Sequence, residues 1–232
     1  MRLDKYLCSC TDLTRSTAKK LLHKGEVQCN GEVVKDPGFK VTDETRVVLE
    51  GVPLGPVATR YIMLHKPAEF LCSNVDELYP SVLNLIELPK REALRIAGRL
   101  DVDTTGLLLL SEDGQWCHQI TSPRRQCSKR YRAWLAEPLV GDAEQRFAEG
   151  VQLHNEDGLT RPAELVRISD TEVLLTIEEG KYHQVKRMFA ALGNKVVALH
   201  REAIGAIELD ETLEAGEWRM LTEAEVQSVR NG

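Results

Sequence analysis

Residues 98–110 read Gly-Arg-Leu-Asp-Val-Asp-Thr-Thr-Gly-Leu-Leu-Leu-Leu. The polar residues between the two glycines, with Asp101 and Asp103 among them, stand directly before an apolar run of strand type. Because glycine adopts backbone angles that other residues resist, the two glycines predict a tight loop with a specified conformation. Loops held by rigid neighbours are favoured places for chemistry, so this loop is a candidate site. The alternative interpretation is that it is a solvated turn between two strands.

The length and composition are typical of a globular protein of one or two domains, because 42% of the 232 residues are hydrophobic and 28% are charged. No apolar run approaches the ~20 residues of a membrane helix, and the first residues lack the apolar core of a secretory signal. We therefore expect a cytoplasmic protein without a membrane partner. The six cysteines have no spacing suited to a metal site, so reduced and mostly buried thiols are expected.

The net charge of −6 argues at first against a nucleic-acid partner, but binding depends on where positive charge clusters. Basic residues outnumber acids in the first 24 residues, and two later runs contain no intervening acid. These runs are Arg124, Arg125, Lys129, Arg130 and Arg132, and Lys181, Lys186, Arg187, Lys195 and Arg201. We expect segregated basic patches on an acidic protein.

The first 50 residues have the pattern of a small domain of helices followed by a hairpin. Thr14 is a plausible cap for a helix over residues 15–24 that stops at Gly25. Asn30-Gly31 between two short apolar segments is a strong signal for a two-residue hairpin turn. Residues 51–58 are uncharged and rich in proline and glycine, which favours a linker. We therefore predict two domains, residues 1–56 with the linker and residues 57–232.

The second domain has many strands and few helices. Strands are predicted over residues 60–64, 94–97, 107–110, 131–136, 163–168, 172–177, 195–200 and 218–221. Helices are predicted over residues 142–149 and 183–192, and a capping box from Thr222 to Glu225 opens a short terminal helix. The predicted fold class is α+β, with a small N-terminal helix-helix-hairpin domain followed by a mixed, largely antiparallel sheet.

Four segments resemble the motifs of a known family. Residues 61–67 are similar to its strand leading into a Lys-Pro turn, and Gly98-Arg99-Leu100-Asp101 to its first motif. Residues 129–131 are similar to its second motif and residues 179–188 to its third. Over nearly its whole length the chain resembles the pseudouridine synthases that act on small-subunit ribosomal RNA (the RsuA family). This chain has Glu69 where the family usually has glycine, a difference that bears on the geometry of that turn.

The resemblance implies an isomerase that converts one uridine of small-subunit ribosomal RNA to pseudouridine, with Asp101 as the catalytic carboxylate. Tyr131 is then the residue that stacks on the target base, where stacking contributes ~1–3 kcal/mol. Lys186, with Arg187 as the second choice, is the cation beside Asp101, with an attraction of ~4 kcal/mol at the effective dielectric of a protein site. Arg99 either fills the gap left by the base, binds a flanking phosphate or forms a structural salt bridge.

Residues 1–50 resemble the small RNA-binding module named after ribosomal protein S4. The resemblance implies that RNA phosphates bind its basic residues Arg2, Lys5, Arg15, Lys19 and Lys20. The implied partner is small-subunit ribosomal RNA, free or within an assembling particle, and we expect a monomer. No cofactor or metal is implied, because isomerisation involves no net redox change.

The sequence is also compatible with two other hypotheses about function. Asp101 and Asp103, two residues apart, are also the arrangement in which two carboxylates share a hard cation in a metal-dependent enzyme. The chain is also compatible with a non-catalytic RNA-binding or assembly protein built on an inactive synthase domain. Release of tritium from carbon-5-labelled uridine in RNA, measured with a chelator present, separates the three.

Overall fold

The computed structural model describes residues 1–55 and 59–230, and the chain divides into two compact units, Met1–Ala58 and Thr59–Gly232. The predicted domain boundary between residues 56 and 57 lies outside the described residues. Among the helices of the described part, none is both long and apolar enough to cross a bilayer.

The first unit packs two helices on a four-stranded antiparallel sheet of order β2-β1-β3-β4. Thr14 caps the second helix by accepting a hydrogen bond from the N–H of Thr17, and Gly25 ends it at φ +83°. Asn30 and Gly31 both have positive φ, the geometry of the predicted two-residue hairpin turn, which is thereby confirmed. The elements are α1 (Leu3–Cys10), α2 (Arg15–Lys24), β1 (Val27–Cys29), β2 (Glu32–Val33), β3 (Val47–Leu49) and β4 (Val52–Leu54).

The predicted linker over residues 51–58 is wrong for residues 52–54, which form β4. Glu50 and Gly51, at φ +50° and +81°, make a two-residue turn that returns the chain antiparallel to β3. Pro53 lies opposite Val48 on this strand at the edge of the sheet, where a residue without an N–H is tolerated. The proline- and glycine-rich composition therefore belongs here to the turn and edge strand of a hairpin, although it predicted a linker. Residues 56–58 of the predicted linker lie outside the described residues.

The second unit is built on a mixed, largely antiparallel sheet of order β13-β5-β7-β11-β8-β10-β9, with β6 paired to β7 and β12 to β11. The predicted α+β class is thereby confirmed. The elements are β5 (Tyr61–Lys66), β6 (Arg95–Ala97), β7 (Thr105–Ser111), α3 (Gly114–Thr121), β8 (Lys129–Leu135), α4 (Ala143–Glu149), β9 (Glu164–Arg167), β10 (Glu172–Ile177), α5 (Gln184–Ala191), β11 (Val196–Ile204), β12 (Ile207–Glu208), β13 (Trp218–Met220) and α6 (Glu223–Arg230).

Apolar side chains cover both faces of this sheet because successive residues of a strand point to opposite sides. Leu108 and Leu110 of β7 belong to the cluster that includes α4 and α5, while Leu107 and Leu109 belong to the cluster that includes α3 and α6. Helix α3 was not predicted, although Trp116 and Ile120 have the spacing of residues on one face of a helix. It is fixed by the burial of Trp116 and by the Asp113 carboxylate, which accepts two of its first N–H groups.

The central strands β7 and β11 pair in parallel, and Gly106 permits their close approach. Gly106 has φ +106°, and a Cβ built on it lies 2.3 Å from the carbonyl oxygen of Arg201 on β11. Its register partner is that same arginine. This glycine is therefore required both by its backbone angle and by the strand beside it.

The turn after Lys66-Pro67 keeps a left-handed residue although it lacks the glycine usual in the family. Glu69 has φ +66°, and its N–H donates to the carbonyl oxygen of Val102 at 2.8 Å. Left-handed backbone destabilises a residue that has a Cβ by ~1–2 kcal/mol. Glycine avoids this strain, but its greater chain entropy in the unfolded state offsets part of the gain in stability. Glu69→Gly is therefore expected to raise the free energy of unfolding by ~0.5–1 kcal/mol in urea titrations.

The matched control for that change is Glu77→Gly, on an exposed residue of the following loop whose φ is not positive. Glycine there gains only unfolded-state entropy and is expected to lower the free energy of unfolding. Equal effects of the two substitutions would contradict the strain assigned to Glu69.

Candidate active site

Asp101 lies in the loop between β6 and β7, and neighbouring groups fix the backbone on both sides of it. The N–H of Leu100 donates to the thiol sulfur of the buried Cys72, at 3.3 Å. The N–H of Thr104 donates to the carbonyl oxygen of Asp101, at 3.1 Å, and closes a turn. Gly98 enters the loop at φ +87°. The paired glycines of the sequence therefore do mark a tight loop with defined geometry.

The Lys66 side chain anchors the same loop by hydrogen bonds to its backbone. Its side chain is fully buried at the end of β5, and its ammonium donates to the carbonyl oxygens of Pro67, Val102 and Thr104 at 3.0, 3.3 and 2.8 Å. Burial lowers the pKa of this ammonium, while the charges of Asp103 and Asp101 act in the opposite direction. Three donors meet three carbonyls, so the buried group is satisfied and ties β5 to the Asp101 loop.

The Asp101 carboxylate contacts two cationic or potentially cationic side chains. Lys186 Nζ lies 3.0 Å from Oδ2, and His183 Nε2 lies 3.3 Å from Oδ1. Both residues come from the start of α5, whose Val185, Met188 and Phe189 are buried in the core. The opposite side of the helix is thereby turned to the loop. About a quarter of the Asp101 side chain, 26%, remains exposed, so it is open to a substrate.

Lys186 also bridges to Asp103, with Nζ 2.7 Å from Oδ1. Burial opposes the charge of Lys186, but the hydrogen bonds to Asp103 and Asp101 outweigh it and raise the pKa of the ammonium. Burial likewise opposes the charge of Asp103, yet the bond to Lys186 outweighs it and lowers the pKa of that carboxyl. Lys186 and Asp103 therefore stay ionised at neutral pH.

Tyr131 and Arg201 form a buried pair behind the loop. Arg201 is 1% exposed, and its guanidinium donates to the carbonyl oxygens of Leu107 and Gly98, each at 2.8 Å, and to the hydroxyl of Tyr131 at 3.3 Å. Tyr131 is 8% exposed, and the Arg201 Cζ lies 5.9 Å from the centre of its ring. Arg201 thus connects β8, β7 and the start of the Asp101 loop.

The other predicted site residues of this unit differ in their surroundings. Arg187 points away from Asp101 and bonds to the Glu156 carboxylate at 2.9 Å and to the carbonyl of Tyr182 at 3.1 Å. Lys181 pairs with the same Glu156 at 3.2 Å. Arg99 is exposed and, within residues 1–55 and 59–230, makes no hydrogen bond or ion pair.

In the first unit, four of the five predicted RNA-binding residues surround one shallow depression: Arg2, Lys5, Arg15 and Lys19. The fifth, Lys20, is exposed on α2 but does not line it. Arg2 holds the buried carboxylate of Asp4 through two hydrogen bonds of 3.0 Å. These bonds position the guanidinium of Arg2, whereas the other three cations that line the depression are exposed to solvent.

Seven of the ten residues in the two later basic runs are paired with acids or buried, whereas Arg124, Arg125 and Lys195 are exposed. Arg130 and Arg132 alternate on β8 and are paired with Glu202, Glu208 and Glu172 of neighbouring strands. Lys129 is buried and donates to the carbonyl of Cys127 at 2.8 Å. Lys181, Lys186, Arg187 and Arg201 have the partners described above. The acids come from segments distant in sequence, which a run of like charges does not reveal.

Three residues that the sequence alone did not single out support the site: His183, Lys66 and Arg201. His183 and Lys66 lay within the quoted motifs, and a histidine directly before helix α5 carried no separate signal. Arg201 was counted only as part of a basic run, because its partners lie 94 and 103 residues away. Among the described residues no three His, Cys, Asp or Glu side chains group as metal ligands. The position between Asp101 and Asp103 is taken by the Lys186 ammonium.

Comparison with known proteins gives two family matches. Residues 60–191 match the RNA pseudouridylate synthase family, and residues 1–47 match the S4 domain. The first match contains Asp101, Tyr131 and Lys186, and the second contains the basic depression of the first unit.

Relatives of known name match over the full length. The chain is 55% identical over 233 residues to the ribosomal small subunit pseudouridine synthase A of Vibrio parahaemolyticus, with 100% of both chains covered. It is 50% identical to the protein of the same name from Escherichia coli, covering 99% of this chain and 100% of that one. A crystal structure described as a pseudouridylate synthase superposes with a TM-score of 0.72 at 47% identity, covering 99% of each chain.

Proposed function

Because this chain belongs to the RNA pseudouridylate synthase family, and is therefore an isomerase that acts on RNA, we propose that its substrate is one uridine of small-subunit ribosomal RNA. We further propose that Asp101 is the catalytic carboxylate. The observation that carries the assignment is the contact of Asp101 with Lys186 at 3.0 Å and His183 at 3.3 Å, in a loop braced on both sides. Relatives named as small-subunit enzymes support the choice of RNA.

The reaction breaks the bond between N1 of uracil and C1′ of ribose and forms a bond from C5 to C1′. The proton on C5 is lost and N1 gains one, so no electrons are exchanged with a cofactor. A carboxylate serves this exchange as a nucleophile or by stabilising positive charge at the sugar. In either role the carboxylate acts through its negative charge, and the Lys186 ammonium lies 3.0 Å from its Oδ2.

The surrounding residues take supporting roles in this proposal. Arg201 holds Gly98 and Tyr131 in fixed relation, and Lys66 holds the backbone after Asp101. Tyr131 provides a ring against which the target base stacks after it leaves its own stack. Arg99, exposed and at the head of the loop, contacts a flanking phosphate or fills the vacated space.

The first unit supplies affinity for RNA, through phosphate contacts to Arg2, Lys5, Arg15, Lys19 and Lys20 that do not depend on base sequence. We propose a division of labour between an RNA-anchoring domain of residues 1–56 and a catalytic domain of residues 57–232. The RNA is bound free or within an assembling particle by a monomer, and the proposed location is the cytoplasm.

The test is tritium release from RNA labelled at carbon 5 of uridine. Small-subunit RNA is expected to lose label at one position in the presence of a chelator, and large-subunit RNA none. Release only from large-subunit RNA would overturn the choice of substrate. Loss of release with chelator would support a metal site at Asp101 and Asp103, and RNA binding without any release would support a non-catalytic binding protein.

Replacing Lys186 with methionine tests the cation beside Asp101. The change keeps the length of the side chain but removes the charge that contacts Asp101 and Asp103. Single-turnover tritium release is expected to fall by ~10²-fold, the scale at which loss of one charged partner in an active site acts. Filter-binding measurements are expected to show RNA affinity changed far less.

The matched control is Lys181→Met. It removes the same charge from a lysine that lies five residues before Lys186 and is paired with Glu156. It is expected to leave most of the turnover. Equal rates for wild type and Lys186→Met would remove Lys186 from the site.

A further inference from the structure

Tyr182 is a large apolar side chain that the fold leaves uncovered. It is 77% exposed, and within residues 1–55 and 59–230 no other phenylalanine, tryptophan or tyrosine is exposed. It directly precedes His183, which contacts Asp101. A ligand that covered this ring would remove its apolar surface from water, which is favourable.

The ring of Tyr182 has one covered face and one open face. It stacks on the imidazole of His183 with the ring centres 3.7 Å apart and the planes at 20°. His183 has φ +48°, so the chain turns sharply there before α5 begins. The stacked pair therefore extends outward from Asp101, with His183 on the inside and Tyr182 on the outside.

The loop that carries this pair is braced, although Tyr182 itself is exposed. The buried Gln184 accepts a hydrogen bond from the N–H of Lys181 at 2.9 Å and donates to the Glu179 carboxylate at 2.6 Å. Arg187 donates to the carbonyl of Tyr182 and to Glu156. A ring held in place before binding loses little conformational entropy when a ligand stacks on it.

We propose that the open face of Tyr182 binds a nucleobase adjacent in the RNA strand to the target uridine. This rests on the proposed function, because the target base must leave its stack to reach Asp101 and its strand neighbour then loses a stacking partner. Tyr182 replaces that partner. Every nucleobase has an aromatic face, so this contact provides affinity and position with little selection of base identity.

The experiment uses an RNA fragment around the modified uridine, with the fluorescent base 2-aminopurine placed at either neighbouring position. Binding of the wild-type protein is expected to quench one of these probes by stacking. Tyr182→Ser is expected to lose the quenching and to bind the fragment about 5- to 150-fold more weakly, the range measured for loss of one stacked base. Tyr182→Phe and Tyr182→Trp keep a ring and are expected to retain both properties.

Val166→Ser is the control for removal of an exposed apolar side chain, since Val166 is 45% exposed on the edge strand β9. It is expected to match wild type. Unchanged quenching and affinity in Tyr182→Ser would overturn the proposal. It would also be overturned if quenching occurred only for a 2-aminopurine placed in a paired strand, opposite the target uridine. Tritium release by wild type on the same fragment separates the failures. A wild type without release refutes the proposed function, whereas an active wild type with an unaltered serine variant refutes the role of Tyr182.

Discussion

Replacing Asp101 by asparagine is expected to lower single-turnover tritium release by at least ~10³-fold, as removal of a catalytic group does in other enzymes. The substitution removes the charge but almost no volume, so the braced loop should keep its shape. RNA affinity is expected to stay close to wild type, because phosphate binding gains nothing from a carboxylate. Binding and release measured on one RNA preparation check both statements.

Asp103→Asn is the matched control, because Asp103 contacts the same Lys186 ammonium and undergoes the same change of charge. Its side chain is 67% exposed, so its loss should be tolerated much better. Equal losses in the two variants, restored by added divalent metal, would instead support a shared metal site.

Gly106→Ala is expected to lower the free energy of unfolding by at least about 3 kcal/mol, or the melting temperature by roughly 6–12 °C. The added Cβ would lie 2.3 Å from the Arg201 carbonyl oxygen and 2.6 Å from its backbone nitrogen. Backbone atoms in the middle of a sheet cannot rotate away, so β7 and β11 must separate. Calorimetry and urea titration measure the loss.

Gly193→Ala separates the two contributions to that loss. Gly193 follows α5 at φ +76°, and nothing lies within 4 Å of its built Cβ. Alanine there meets backbone strain without a clash, and a loss of ~1 kcal/mol is expected. Similar losses at both positions would mean that the contact with Arg201 is not what restricts Gly106.

Much of the fold followed from local patterns. The Asn30-Gly31 turn, the cap at Thr14, and the Thr222–Glu225 capping box are determined by residues a few positions apart, and all three are present. Strand β4 is held by its pairing with β3, and its own sequence did not indicate a strand. Helix α3 depends on the burial of Trp116 as well as on its local cap, Asp113, and it was not predicted. Local propensity was therefore informative where local interactions decide the structure.

The site divides in the same way. The tight loop around Asp101 could be predicted from its glycines, and the family resemblance indicated Lys186 as its neighbour. The contact of His183 with Asp101, and the buried positions of Lys66 and Arg201, depend on segments brought together only by folding. The acids that neutralise Arg130 and Arg132 likewise come from β10, β11 and β12.

The hydrogen bonds of Arg201 also bear on the order in which the protein acquires activity. They connect Arg201 to Leu107, 94 positions earlier in the chain, and to Gly98, 103 positions earlier. The ion pair of Lys186 with Asp103 spans 83 positions. Contacts that close such long loops have a high entropic cost and form slowly. Any folding intermediate in which β7 and β11 have not yet paired lacks the Gly98 anchor and therefore an assembled site. Catalysis thus appears only with completion of the central sheet, and partly folded chains bearing the RNA-binding unit would compete for RNA without modifying it.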